Sequence, residues 1–196
     1  MAAGDRDRWN DKWAEAGRGT SHGSALIDLV SAYLPPTGRL LDVAGGGSMN
    51  SLAFARLGLD VTVADISDVG LIQARQRALA EDRTIATLEI DLETTPLPDQ
   101  LWDVITVSNY LQRDLLSRLP EQLEIGGILA VVIATQTNRD RHDRPGPDHL
   151  LHPEELVEVI YRHDPERRRL ELVDYHEAWR TNGRHEAHLV GRRITP

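Results

Sequence analysis

Apolar positions along the 196-residue chain recur at two different periods, and the places where the period switches mark out the elements. Leu26, Leu29, Val30 and Tyr33 repeat at helical spacing across residues 25–34, and Pro35-Pro36 ends that helix. Short apolar runs at residues 40–43 and 61–64 read as buried strands around a helix over residues 51–57. The pattern continues with a helix over 71–80, strands over 84–90 and 102–107, and a helix over 115–123 with a proline inside its span. Gly126-Gly127 sit just before residues 128–134, a near-continuous apolar run typical of a strand buried on both faces. A further helix is predicted over 154–161, after His152-Pro153. The tail then changes character, with strands over 170–177 and 187–194. The polar connection between them holds Asn182-Gly183, a hairpin signal because both residue types accept positive φ. Seven strands alternating with helices predict an α/β, doubly wound, mostly parallel sheet that ends in an antiparallel β-hairpin.

The chemistry concentrates between Arg39 and Ser67. Gly45, Gly46 and Gly47 follow the first strand, where backbone must bend and approach a ligand without an intervening Cβ. The second strand ends on Asp65, whose carboxylate is placed to accept hydrogen bonds from a ribose diol. A nucleoside-bearing cofactor is therefore expected. A dinucleotide turn needs G-x-G-x-x-G, and Asn50 stands here where the third glycine belongs. Asp42 also lies beside the turn, where it repels a pyrophosphate but favours an ammonium group. Both features favour S-adenosylmethionine over a nicotinamide dinucleotide.

Residues Leu41-Asp-Val-Ala-Gly-Gly-Gly-Ser48 resemble the first motif, D-x-G-x-G-x-G, of class I S-adenosylmethionine-dependent methyltransferases. Ala44 replaces the first glycine and Ser48 the third, and Gly46 matches. Asn50-Ser51-Leu52 resembles the small tellurite-resistance and thiopurine-methyltransferase-like branch. The resemblance implies a Rossmann-like methyltransferase fold in which Asp42, Ala44, Gly45, Gly46, Asn50 and Ile66 line the cofactor, with Asp65 at the ribose. It further implies Asp91 and Leu92 at the adenine ring, although an aspartate capping a helix is the ordinary reading of Asp91. By position at the end of its strand, Ser108 would reach the methionine moiety. Residues 1–23 are similar to the N-terminal lid of that branch, with residues 24–196 forming a single cofactor-binding domain. Trp9 and Trp13 stand one helical turn apart and would shield the sulfonium, which aromatic faces attract. The alternative is that the two rings pin a terminal helix to the core.

Asn109-Tyr110-Leu111-Gln112-Arg113 is similar to a segment of bacterial relatives in the tellurite-resistance group. It offers an amide, a phenol and a guanidinium to a polar substrate, with Arg113 suited to an anionic oxygen. Alternatively, Asn109 caps the next helix. His149 would reach the acceptor from the loop before residue 154. His142, Asp148, His149 and His152 match no zinc spacing, so no metal is expected.

Composition narrows the rest. The formal charge of −9 argues against binding to a phosphate backbone, and no cysteine is present for thiolate chemistry. No signal peptide or membrane span is read, so a cytoplasmic monomer or homodimer with no nucleic-acid or membrane partner is expected. The function expected is methyl transfer from S-adenosylmethionine to a small-molecule acceptor. The alternatives are a non-catalytic sensor or partner subunit, which the altered motif positions Ala44 and Ser48 keep open, and a nicotinamide-dependent oxidoreductase, which Asn50 and the terminal hairpin disfavour.

Overall fold

A computed structural model describes residues 2–16, 25–47 and 49–196 of the chain. Ser48, Gly17, His22 and the lid boundary expected at residues 23/24 lie outside the described residues. The chain divides into two units, Met1–Asp99 and Gln100–Pro196.

The first unit contains α1 (Ala2–Ala16), α2 (Ala25–Val30), β1 (Arg39–Val43), α3 (Met49–Arg56), β2 (Asp60–Asp65), α4 (Asp68–Leu79) and β3 (Ala86–Glu89). The second contains β4 (Trp102–Ser108), α5 (Arg113–Arg118), β5 (Leu123–Ala134), α6 (Glu155–Ile160), β6 (Leu170–Trp179) and β7 (His185–Arg193). The seven strands run in the order β3-β2-β1-β4-β5-β7-β6.

In the first unit, β2 pairs in parallel with both β1 and β3. Leu40, Leu41 and Val43 of β1 and Val61, Val63 and Ala64 of β2 are buried, as continuous apolar strands covered on both faces require. Phe54 of α3 and Leu71, Ala74 and Ala78 of α4 supply the helical side of that core. Ser67 fixes the start of α4, its hydroxyl accepting from the Gly70 amide at 3.1 Å. Asp68 in the first turn and Arg77 in the last complement the helix dipole.

In the second unit, β4 and β5 are parallel, whereas β7 lies antiparallel between β5 and β6. Ile105, Leu129, Ile133 and Leu189 from the sheet meet Leu116 of α5 and Leu156 of α6 in its core. The helix expected over 115–123 ends at Arg118. Pro120, which has no N–H to continue the α ladder, opens a 3₁₀ turn over Leu119–Gln122. The strand expected from Ile128 is assigned from Leu123, but its register jumps from Leu123 opposite Trp102 to Ile128 opposite Val104. Residues 124–127 are thus displaced from the ladder, and Gly126 takes φ +85.

The terminal hairpin forms with β6 at the edge. Its turn is not the two-residue Asn-Gly type that the sequence suggested. The Arg180 amide bonds the Arg184 carbonyl at 2.8 Å and the Gly183 amide bonds the Arg180 carbonyl at 2.9 Å. Only Gly183 of the pair has positive φ, at +80. The connection is therefore a three-residue loop closed by a left-handed glycine. Replacing Gly183 with alanine should lower stability by about 1–2 kcal/mol in urea unfolding, the cost of a Cβ in that region. An unchanged midpoint would mean that the turn re-forms with another geometry.

Candidate functional site

The glycine-rich turn between β1 and α3 is built around a buried carboxylate. Asp42 is 1% exposed, and its Oδ2 accepts the Ser51 hydroxyl of α3 at 2.7 Å. A Cβ at Gly45 would lie 2.5 Å from that same oxygen, so the buried acid and the glycine require each other. Ala44 enters the turn at φ +53, a left-handed conformation that alanine adopts with strain. Gly46 follows at φ +50. Asn50, the second residue of α3, is buried.

Trp13 of α1 lies directly on this turn. A Cβ on Gly46 would come 2.5 Å from the indole, and one on Gly70 of α4 would come 2.9 Å from it. The Trp13 carbonyl accepts from Gln73 Nε2 at 2.8 Å, and the Arg77 guanidinium donates to the Gly47 carbonyl. Asn10 anchors α1 one turn earlier, accepting from the Ser67 hydroxyl at 2.6 Å and donating to Asp68 at 2.7 Å. Trp9 does something else: its ring carries the Lys12 ammonium at 4.1 Å from its centroid. The two tryptophans are thus divided between the turn and a surface cation–π contact.

Asp65 closes the same region at the end of β2. It is 8% exposed, and burial pushes its carboxyl above the usual range. The Ser67 amide, which donates at 2.8 Å, and the amides of Gly46 and Ile66 oppose that rise. One carboxylate therefore ties the glycine turn to the β2–α4 connection. Asp91 accepts from the Glu93 amide at 3.0 Å and the Thr94 hydroxyl at 2.8 Å, capping a tight turn beside buried Leu92. The first unit gathers Trp13, Asp42, Ala44, Gly45, Gly46, Asp65 and Ile66 into one constellation. Trp9 sits with its cations instead.

The second unit holds the other expected residues. Ser108 ends β4, and its hydroxyl accepts from Asn109 Nδ2 at 3.0 Å. Asn109 sits at φ +56 and accepts from Arg184 at 3.1 Å. The helix cap considered for it belongs to Gln112, whose side chain accepts the Leu115 amide. Tyr110 is half-buried beside it. The Arg113 fork is filled by Glu155, with Nε–Oε1 at 2.5 Å and Nη2–Oε2 at 2.9 Å. Its Nη2 also reaches the Leu150 carbonyl at 3.4 Å. His149 is exposed, its amide bonding the Gly146 carbonyl at 3.1 Å. His142 bonds the Gly183 carbonyl at 2.7 Å, and no group of three or more metal-binding side chains occurs among the described residues.

Sequence reasoning missed a polar pair on β7. His188 is 0% exposed and Glu186 2%, with Nε2–Oε2 at 3.1 Å. The available signal was an acid and a histidine two apart, on one face of a strand and interleaved with the apolar Ala187, Leu189 and Val190.

Comparison with known proteins gives this arrangement a context. Residues 40–127 match the family model described as a methyltransferase domain. A demethylmenaquinone methyltransferase from Clavibacter sepedonicus is 32% identical over 111 residues, which are 54% of this chain and 45% of that protein. The chain thus matches less than half the length of that relative. Among solved structures, TehB from Haemophilus influenzae superposes with a TM-score of 0.69 at 20% identity, covering 94% of this chain and 66% of that one. Magnesium protoporphyrin IX methyltransferase from Synechocystis PCC 6803, solved with bound SAH, gives 0.71 at 17% identity over 98% and 99% of the two chains.

Two outcomes follow from the site geometry. Ala44→Gly should stabilise the protein by about 0.5–1 kcal/mol in urea unfolding, because relief of the left-handed strain exceeds the entropy that glycine adds to the unfolded chain. A loss of stability would show that the turn carries no strain at residue 44. Glu155 is held below the usual carboxylate range by its hydrogen bonds from Arg113, which outweigh its partial burial. Its stabilising effect is present above its unfolded pKa and is lost as the pH falls through the lowered folded value. Glu155→Gln should cost about 1 kcal/mol at neutral pH, the modest figure reflecting the partial exposure of the pair. The gap from wild type should close in acid. A gap independent of pH would locate the effect elsewhere.

Proposed function

We propose that the chain transfers a methyl group from S-adenosylmethionine to a small-molecule acceptor by direct in-line displacement, a reading supported by the match of residues 40–127 to a methyltransferase domain and by a fold similar to that of TehB. The observation that carries this reading is the side-chain-free turn over buried Asp42, with Asp65 tied to the same turn. Two carboxylates and an indole suit a ligand that bears a sulfonium and an ammonium, and they oppose a pyrophosphate.

In this reading Asp65 accepts the ribose hydroxyls while the amides of Gly46, Ile66 and Ser67 hold its carboxylate in place. Asp42 keeps the turn in shape and lends it negative charge. Trp13 covers the turn as part of α1, so residues 1–23 act as the lid. Asp91 already accepts two hydrogen bonds and keeps lone pairs for the adenine amino group, beside Leu92. Ala44, Gly45 and Asn50 complete the cofactor side of the proposal, Trp9 being held by its own cations instead, and Ser108 meets the methionine end. Asn109, Tyr110, Arg113 and His149 serve the acceptor, with Arg113 fixed in place by Glu155. When bound, the cofactor supplies a methyl group that is already electrophilic. The chain has then to align the acceptor and exclude water.

Calorimetry should detect binding of S-adenosylmethionine and S-adenosylhomocysteine but not of NAD. The reverse preference would reject the proposal, and binding without turnover on any acceptor would return a sensor. Asp65→Ala should weaken cofactor binding roughly tenfold to a hundredfold, as expected for lost hydrogen bonds to a charged acceptor. Because the Asp65 carboxyl is raised, wild-type affinity should start to fall at a higher pH than an ordinary aspartate would give. An unchanged dissociation constant with an unchanged melting temperature would remove Asp65 from the site.

A further inference from the structure

Helix α1 has little apolar surface with which to hold itself in place. Its only large apolar side chains are Trp9 and Trp13, and Trp9 is engaged by Lys12. A helix without a wide apolar stripe is placed by specific polar ties rather than by burial. The ion pair from Arg6 to Glu89 is half-exposed on both sides and contributes little. Gln73 holds the Trp13 carbonyl. Asn10 makes a different kind of tie, using both ends of its amide. Its Oδ1 accepts the Ser67 hydroxyl at 2.6 Å, and its Nδ2 donates to Asp68 Oδ1 at 2.7 Å.

The bonds around Ser67 show what this tie controls. Ser67 is fully buried. Its Oγ accepts the Gly70 amide at 3.1 Å, and its single hydroxyl proton goes to Asn10. Its own amide donates to Asp65 Oδ1 at 2.8 Å. One residue thus connects Asn10 of α1 to the carboxylate placed for a ribose. The Asn10 amide can face only one way, since turning it over would set its oxygen against the Asp68 carboxylate, an acceptor with no proton to give. Residue 10 must therefore accept at one end and donate at the other across a short side chain. Aspartate has the length but no donor, and glutamine has the groups on a longer stem.

We propose that Asn10 is a positioning residue for cofactor binding: through Ser67 it steadies the Asp65 carboxylate, and through α1 it keeps the Trp13 indole on the glycine turn. The inference rests on the methyltransferase reading above. Asn10 and Trp13 stand three residues apart on one face of α1, and both reach the start of α4. Asn10 does so at Ser67 and Asp68, Trp13 at Gly70. A ligand held between Asp65 and the turn therefore depends on an amide that it need not touch. Losing that amide frees the Ser67 hydroxyl to re-aim and lets α1 lift with its indole, so the ligand dissociates faster.

The test measures S-adenosylhomocysteine binding to the full chain by calorimetry, beside the melting temperature. Asn10→Ala should weaken binding about tenfold, the scale of one hydrogen bond. Asn10→Asp keeps an acceptor for Ser67 but sets two carboxylates against each other, and should weaken binding at least as much. Adding Asp68→Asn to it exchanges donor and acceptor between the two positions at unchanged net charge. That double variant should return the dissociation constant to within about twofold of wild type. A dissociation constant that holds in Asn10→Ala, with or without a fall in melting temperature, confines Asn10 to anchoring the helix and overturns the proposal. A double variant that binds no better than Asn10→Asp overturns it too. Failure of wild type to bind S-adenosylhomocysteine instead overturns the methyltransferase reading, and this inference with it. Should the single variants not fold, hydrogen exchange of the wild type decides. On addition of S-adenosylhomocysteine, residues 9–13 and 65–70 should gain protection together, and a gain at 65–70 alone overturns the assignment.

Discussion

The buried carboxylate of Asp42 is the constraint on which the first unit depends. A carboxyl group removed from water is costly unless its polar atoms are met, and here the Ser51 hydroxyl of α3 meets one of them. That bond ties the start of α3 to the end of β1, and the oxygen it uses excludes a side chain at Gly45. The backbone then has to turn through left-handed conformations at Ala44 and Gly46. The turn's proximity to Asp65 and its fit to the indole of Trp13 both follow from that first burial. The three glycines are thus read better as the consequence of an acid in the wall than as mere flexibility.

Much of this was legible in the sequence because it depends on local chemistry. Runs such as residues 61–64, and the helical repeat through Leu71, Ala74 and Ala78, were placed within a few residues. The parallel sheet with its antiparallel end also followed from the order of elements. What sequence could not settle was set by partners distant along the chain. Arg113 looks like a free fork until Glu155, 42 residues away, fills it. Trp9 and Trp13 share a helical spacing, yet Gly46 and Gly70 claim one ring and Lys12 the other. Asn182-Gly183 marked the hairpin correctly. Its turn type depended on how Arg180 and Arg184 close the ladder, which the dipeptide does not encode.

The two units invest buried polarity differently. In the first, the acids Asp42 and Asp65 are met by a hydroxyl and by backbone amides, groups that cannot titrate near neutrality. In the second, Glu186 is met by histidine, and a second histidine packs alongside. The first unit meets its buried acids with hydroxyl and main-chain donors, the second with a side-chain imidazole.

The indole of Trp13 has one more consequence, for how this chain tolerates change over time. Its ring lies where Cβ atoms of Gly46 and Gly70 would otherwise stand. These three positions, drawn from α1, the turn and α4, therefore form one packing unit and cannot drift independently. Shrinking residue 13 first would open room that a methyl group at residue 70 could fill, whereas the same methyl arriving first would push α1 away. At residue 46 the positive φ would still resist it. The order of substitutions, and not only their identity, decides which descendants of this sequence keep the first helix in place.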